Sequence, residues 1–346
     1  MNPLLPLLAR LCGCAIAMLL AAGCSTGGIS IAQETRTVRA EDEFPLRVYT
    51  LFEWKGGEPS EEARTHEPSG LLVYVQGSED RTVLSATEHL AGACAMGLDV
   101  IAVERLGVAC DGSVDRDVAR RFCTKERRVR DECALIDAYL SRHPAVQARG
   151  QPVILMGTSE GADVAAAVAA REPRVTHLIL LAGGGGWTQA EEFRHFLERG
   201  IVALPEVANL AELDAKFEEI RRNPDSDTEW FGHSYRRWAS YLFERASDQL
   251  IQLDIPILLL HGSADTSVPV ESARALRDRF VASGKKNLRS IEYAGVDHHL
   301  RDVASGKSAR PQIEIDTVEW LSGLGVLNAD VAAEFARRVR RAHQDE

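Results

Sequence analysis

The chain has 346 residues, 45% hydrophobic and 26% charged, with a formal net charge of −11. This composition excludes a disordered, collagen-like or multi-span membrane chain and suits a globular protein. The negative surplus repels phosphate backbones and argues against a nucleic-acid partner, without naming a substrate.

At the N-terminus, Arg10 precedes an apolar run over residues 11–22. The run is too short to span a bilayer comfortably and fits the core of an export signal. It ends Leu20-Ala21-Ala22-Gly23-Cys24, which resembles the lipobox of bacterial lipoproteins, with Ala21 where Leu is usual. The resemblance implies a signal peptide over residues 1–23, cleavage before Cys24 and lipidation of that cysteine. The protein is then tied to a membrane by its lipid, in the bacterial envelope, facing the periplasm or the exterior. An ordinary cleaved signal and an uncleaved anchor are the alternatives. Residues 24–36 read as a tether, and 37–346 as one domain.

Cys12 and Cys14 leave with such a signal, and Cys94, Cys110, Cys123 and Cys133 remain. An even number permits disulfides in an oxidising compartment. Cys110 with Cys123 is the preferred pair, stapling the loop after a predicted strand, although sequence does not choose among the pairings. No CxxC spacing supports a metal site, and no organic cofactor is indicated.

Residues 44–54 alternate and read as an early antiparallel strand or hairpin. A continuous apolar run at 70–75 reads as a strand buried on both faces, and 99–103, 152–156, 176–181, 255–260 and 288–293 read as further strands. Helical patterns fall at 82–97, 125–142, 160–171, 271–283, 312–323 and 328–343. On 125–142 the apolar stripe is Val129, Cys133, Ile136 and Leu140. Such alternation predicts an α/β fold: a mostly parallel sheet with helices on both faces. Residues 187–250 break the pattern with three amphipathic stretches and no good strand. They read as a helical insertion over one end of the sheet.

Gly157-Thr158-Ser159-Glu160-Gly161 joins a strong strand to a strong helix. In that setting a GxSxG pattern is a sharp turn that lifts a serine hydroxyl out of the sheet at a helix N-terminus. A serine needs a base. His261-Gly262-Ser263-Ala264-Asp265-Thr266-Ser267-Val268-Pro269 follows one later strand, and Gly295-Val296-Asp297-His298-His299-Leu300 follows the next. With these three motifs in this order, over roughly residues 40–325, the chain resembles the α/β-hydrolase superfamily, notably its dienelactone-hydrolase-like and prolyl-oligopeptidase-like branches. The resemblance implies Ser159 as nucleophile, Asp265 as acid and His298 as base. It also makes 187–250 a cap over the site. His299 is the rival base and Asp297 the rival acid, the latter read as shaping its turn. His261 reads as structural and His233 as cap surface.

An oxyanion hole takes two N–H donors. The resemblance assigns the backbone N–H groups of Glu160 and of Ser78, in the loop Gln76-Gly77-Ser78-Glu79, where Gln76 replaces the His usual in the family. Glu79 and Glu160 are expected to face solvent or pair with Arg81 or Arg105; the alternative is that they repel an anionic substrate or hold a cationic one. Gly183-Gly184-Gly185-Gly186 lacks any phosphate-loop spacing and reads as a hinge or as room near Ser159. The function expected is hydrolysis of a small-molecule carboxylic ester or related acyl compound through an acyl-enzyme. A peptidase or amidase is the alternative within the class, and a non-catalytic envelope lipoprotein the alternative outside it. Oligomeric state is left open.

Overall fold

Two-faced burial of apolar strands organises the molecule, seen here in a computed structural model that describes residues 27–36, 44–55 and 68–342. The strands in chain order are β1 (Gly27–Arg36), β2 (Leu46–Lys55), β3 (Gly70–Val75), β4 (Leu98–Val103), β5 (Val153–Thr158), β6 (His177–Leu181), β7 (Glu229–Trp230), β8 (His233–Ser234), β9 (Ile257–Gly262) and β10 (Leu288–Tyr293). Eight of them form one sheet in the order β1-β2-β4-β3-β5-β6-β9-β10. β1 and β2, and β2 and β4, pair antiparallel; every other pair in the sheet is parallel. This is the α/β-hydrolase architecture.

Because strand side chains alternate between faces, each apolar run supplies two cores. Leu71, Val73, Leu178, Leu180, Ile257 and Leu259 enter one cluster, while Leu72, Ile179, Leu181, Leu258 and Leu260 enter the other. A polar residue at any of these positions would lose its hydrogen bonds to water, so the runs are continuous rather than alternating.

The helices in chain order are α1 (Thr87–Ala95), α2 (Arg116–Phe122), α3 (Lys125–Arg142), α4 (Pro144–Ala148), α5 (Glu160–Arg171), α6 (Gln189–Glu198), α7 (Leu210–Arg222), α8 (Tyr235–Tyr241), α9 (Ala246–Leu250), α10 (Val270–Ala282), α11 (Arg310–Gly323) and α12 (Ala329–Ala342). α3, α5, α9 and α10 cover the first face; α1, α11 and α12 cover the second. α3 starts where the Thr124 hydroxyl accepts from the Arg127 N–H, and its stripe of Val129, Ile136 and Leu140 is buried. Among the described residues no helix is long and apolar enough to cross a membrane.

Between β6 and β9 lies the insertion expected from the sequence. It holds α6 to α9 and a two-stranded ribbon, β7 with β8, in place of three helices alone. It has its own core of Leu213, Phe217, Trp230, Tyr235, Trp238 and Leu242.

Three expectations change. Residues 27–36, read as tether, form β1 along β2. No disulfide joins Cys110 and Cys123; both are thiols. The Cys123 sulfur is buried against a guanidinium, Arg237 Nη1 at 3.6 Å, and Cys110 sits in the 109–113 turn. α2 and α4 escape sequence reading, since α2 buries no side chain and so shows no apolar stripe. The proposed signal peptide and Cys24 lie outside the described residues.

Candidate active site

β5 stops at Thr158 and α5 starts at Glu160, leaving Ser159 alone at the turn with φ 54° and ψ −128°. A non-glycine residue there carries strain of about 1–3 kcal/mol and persists only where its surroundings impose it. The Ser159 N–H donates to the Leu181 carbonyl at 2.8 Å, and its carbonyl accepts from the Ala162 N–H at 2.8 Å. The flanking glycines are obligatory. A Cβ on Gly157 would lie 2.3 Å from the Gly161 carbonyl oxygen, and one on Gly161 2.2 Å from that of Val75. Gly183 packs as closely, its virtual Cβ 2.3 Å from Ala162 Cβ, so the first of the four glycines provides room beside the elbow.

Asp265 and His298 come from loops after β9 and β10, two strands in parallel register. Asp265 Oδ1 accepts the N–H groups of Ser267 and Val268, each at 2.8 Å, and Oδ2 accepts from His298 Nδ1 at 2.8 Å. The proton in that bond sits on Nδ1, which leaves Nε2 as the basic nitrogen. Ser159 and His298 both line one cavity of about 910 Å³. No hydrogen bond links Ser159 to His298 here; catalytic bonds of this kind tighten in the Michaelis complex.

The rival residues fall elsewhere. His299 lines the same cavity, 5.9 Å from the His298 ring, without touching Asp265. Asp297 accepts the Arg301 N–H at 2.8 Å and shapes the turn. His261 is buried, donates Nε2–H to the Val268 carbonyl at 3.1 Å, and has its pKa lowered by burial. His233 is not mere cap surface: it lines the cavity, and burial with Arg237 nearby lowers its pKa to about 3, so it is neutral.

The loop expected to supply an oxyanion donor lies against the elbow. A Cβ on Gly77 would sit 3.2 Å from Ser159 Cβ. Glu160 is the first residue of α5, so its N–H has no intrahelical acceptor. Gln76 is buried and donates Nε2–H to the Arg81 carbonyl at 2.6 Å. The two carboxylates part company. Glu79 is exposed near Arg81, at 3.7 Å. Glu160 contacts neither Arg81 nor Arg105; its side chain is only 9% exposed and lies against Arg128 Nη1 at 2.9 Å and Arg237 Nη2 at 2.6 and 2.7 Å. Burial alone raises its pKa, but Arg237 and Arg128 outweigh that and bring it to about 2. Sequence reasoning missed both arginines, which stand 32 and 77 residues from Glu160 and follow no local pattern.

The insertion supplies the aromatic wall of the cavity with Phe193, Phe196, Phe231 and Trp238. Asp163 of α5 and Glu192 of α6 line it too, both with pKa raised by burial. Among the described residues no three His, Cys, Asp or Glu side chains come together as a metal site.

Comparison with known structures agrees with this architecture. Esterase 2 of Thermogutta terrifontis, phosphorylated by paraoxon, is 14% identical with a TM-score of 0.53, over 85% of this chain and 95% of that one. A thermostable carboxyl esterase of Bacillus coagulans in complex with glycerol is 14% identical with a TM-score of 0.56, over 85% and 98%. The acylaminoacyl peptidase of Pyrococcus horikoshii is 15% identical with a TM-score of 0.54, over 85% of this chain but 41% of that one. At these identities the likeness establishes the fold. No curated protein sequence matches the chain. Residues 124–301 match the Hydrolase_4 family, described as serine aminopeptidase S33, a span that holds the GTSEG turn, the insertion and both later motifs. That span is more than half of the chain, and the protein belongs to this family of the α/β-hydrolase superfamily.

Proposed function

We propose that the protein is a serine hydrolase that cleaves a carboxylic ester or related acyl bond through an acyl-enzyme. Ser159 attacks the carbonyl carbon. His298 takes its proton on Nε2 and returns it to the leaving group, while Asp265 orients the ring and stabilises its charged form. The N–H groups of Ser78 and Glu160 receive the developing oxyanion. The observation that carries this reading is the Asp265–His298 bond of 2.8 Å on the same cavity as a strained Ser159. A binding protein has no use for a strained serine held this way.

The test is labelling with a fluorophosphonate. Wild type should be labelled and Ser159→Ala should not, with turnover falling by about 10⁶-fold. An unlabelled wild type sinks the enzyme reading; an equally labelled Ala variant sinks the nucleophile.

A peptidase is the second reading. It draws on the family description and on Asp163 and Glu192, buried acidic side chains on the cavity that an entering ammonium group would draw into their charged form. Nitrophenyl esters assayed beside aminoacyl nitroanilides separate the two. The export reading stays with residues 1–24, and the mass of the mature N-terminus tests it.

A further inference from the structure

Three buried guanidinium groups converge behind the 76–79 loop, and only one of them, among the described residues, touches both halves of the proposed oxyanion hole. Arg105 Nη1 donates to the carbonyls of Ser78 and of Glu79, the latter at 2.7 Å. Arg237, from the insertion, holds the Glu160 carboxylate. Arg128 does both kinds of work: Nη2 donates to the Gln76 carbonyl and Nη1 to Glu160 Oε1 at 2.9 Å. Its side chain is 7% exposed, so water does not compete for these bonds.

We propose that Arg128 is a positioning residue for the oxyanion hole, an inference that rests on the serine-hydrolase reading above. Peptide groups are planar, so a held carbonyl fixes the N–H of the same unit. The unit bearing the Ser78 N–H lies between two others. The preceding one has its carbonyl held by Arg128, and the following one by Arg105. With both neighbours fixed, the middle unit has little freedom to turn its N–H away from Ser159. Through its second nitrogen Arg128 grips the side chain of Glu160, the residue that bears the other donor. One rigid fork thus sets the spacing between the two donors. Lysine, a point charge on a flexible stem, cannot do this in two directions.

Electrostatics works the same way. A carboxylate on the residue after the nucleophile would repel an oxyanion. Arg237 and Arg128 neutralise Glu160, and Arg105 adds a third positive charge, its nearest counter-charge being exposed Asp80 at 3.7 Å. The surplus behind the hole is positive.

The experiment compares wild type, Arg128→Met and Arg128→Lys on a nitrophenyl ester, with a boronic acid as an inhibitor whose adduct fills the hole. Arg128→Met should lower kcat by about 10²-fold and leave KM within about threefold, since losing a hole donor costs that much in the chemical step. The boronic acid should weaken by the same factor as kcat/KM, while inhibition by the product acid stays put. Arg128→Lys should recover part of kcat. A cooperative melt checks folding. If Arg128→Met does not fold, the same split between kcat and KM is read on Arg128→Lys. A folded variant with wild-type kcat, or one that raises KM alone, overturns the proposal. A wild type inactive on every ester and anilide overturns the hydrolase reading and this inference with it; an active wild type beside an indifferent variant overturns this inference alone.

Discussion

The Asp265–His298 side of the cavity and its Ser159 side both hold a carboxylate away from water, but with different partners. Asp265 is held by two backbone N–H groups and one imidazole, all from its own and the adjacent loop. Glu160 is held by guanidinium groups from α3 and from the insertion. The first arrangement is built from local chain and holds His298 through Nδ1 alone. The second uses buried charge to tie two distant elements, α3 and the insertion, to the elbow. Another buried carboxylate, Glu132 on α3, shows what happens without a bonded partner: its Oε2 has no hydrogen-bond partner among the described residues, and burial, offset only in part by Arg128, raises its pKa to about 8.

The comparison breaks most sharply at Asp265. Asp265→Asn keeps the shape but presents the wrong groups to His298, and kcat should fall by about 10⁴-fold with little change in stability. A fall under tenfold would mean that the imidazole is oriented by something else.

Glu160→Gln should behave the opposite way, as a stability variant first. It strands two arginines in the interior, and breaking a buried pair costs about 3–5 kcal/mol. Urea unfolding at pH 7 measures this. Because the folded-state pKa of Glu160 is lowered to about 2, the stabilisation is present above the unfolded value of 4.5 and is lost as pH falls towards 2. The deficit of the variant should therefore shrink below pH 4.5.

Glu132→Gln has the reverse sign. The folded-state pKa is raised, so the wild type is undisturbed below pH 4.5 and loses stability as pH rises from there towards 8. The variant should match wild type near pH 4.5 and exceed it by about 2–4 kcal/mol at pH 8. Thermal melts across that range check it, and parallel curves would place Glu132 in contact with water.

Much of this protein is legible without coordinates. The runs 70–75 and 288–293 and the helices 125–142 and 160–171 coincide with β3, β10, α3 and α5. Their signals are local: an unbroken apolar run in β3 and a 3.6-residue apolar stripe in α3, while β10, at the sheet edge, is only half-buried. The order of the GTSEG, HGSADTSVP and GVDHHL motifs also placed Ser159, Asp265 and His298 on the loops that meet at one cavity. Where signals were weak, reading failed. α2 shows no stripe, and the place of Cys110 and Cys123 at the two ends of a loop says nothing of where their sulfurs point.

What the sequence determined by itself was therefore the layered fold and the residues set at strand ends, because hydrophobic period and turn chemistry act over a few residues. Only the tertiary structure decided what holds the elbow and its neighbouring loop. Arg105, Arg128 and Arg237 meet Glu160 and the 76–79 carbonyls across the fold, and a buried charge can be matched by any residue that chain topology happens to bring within about 3 Å.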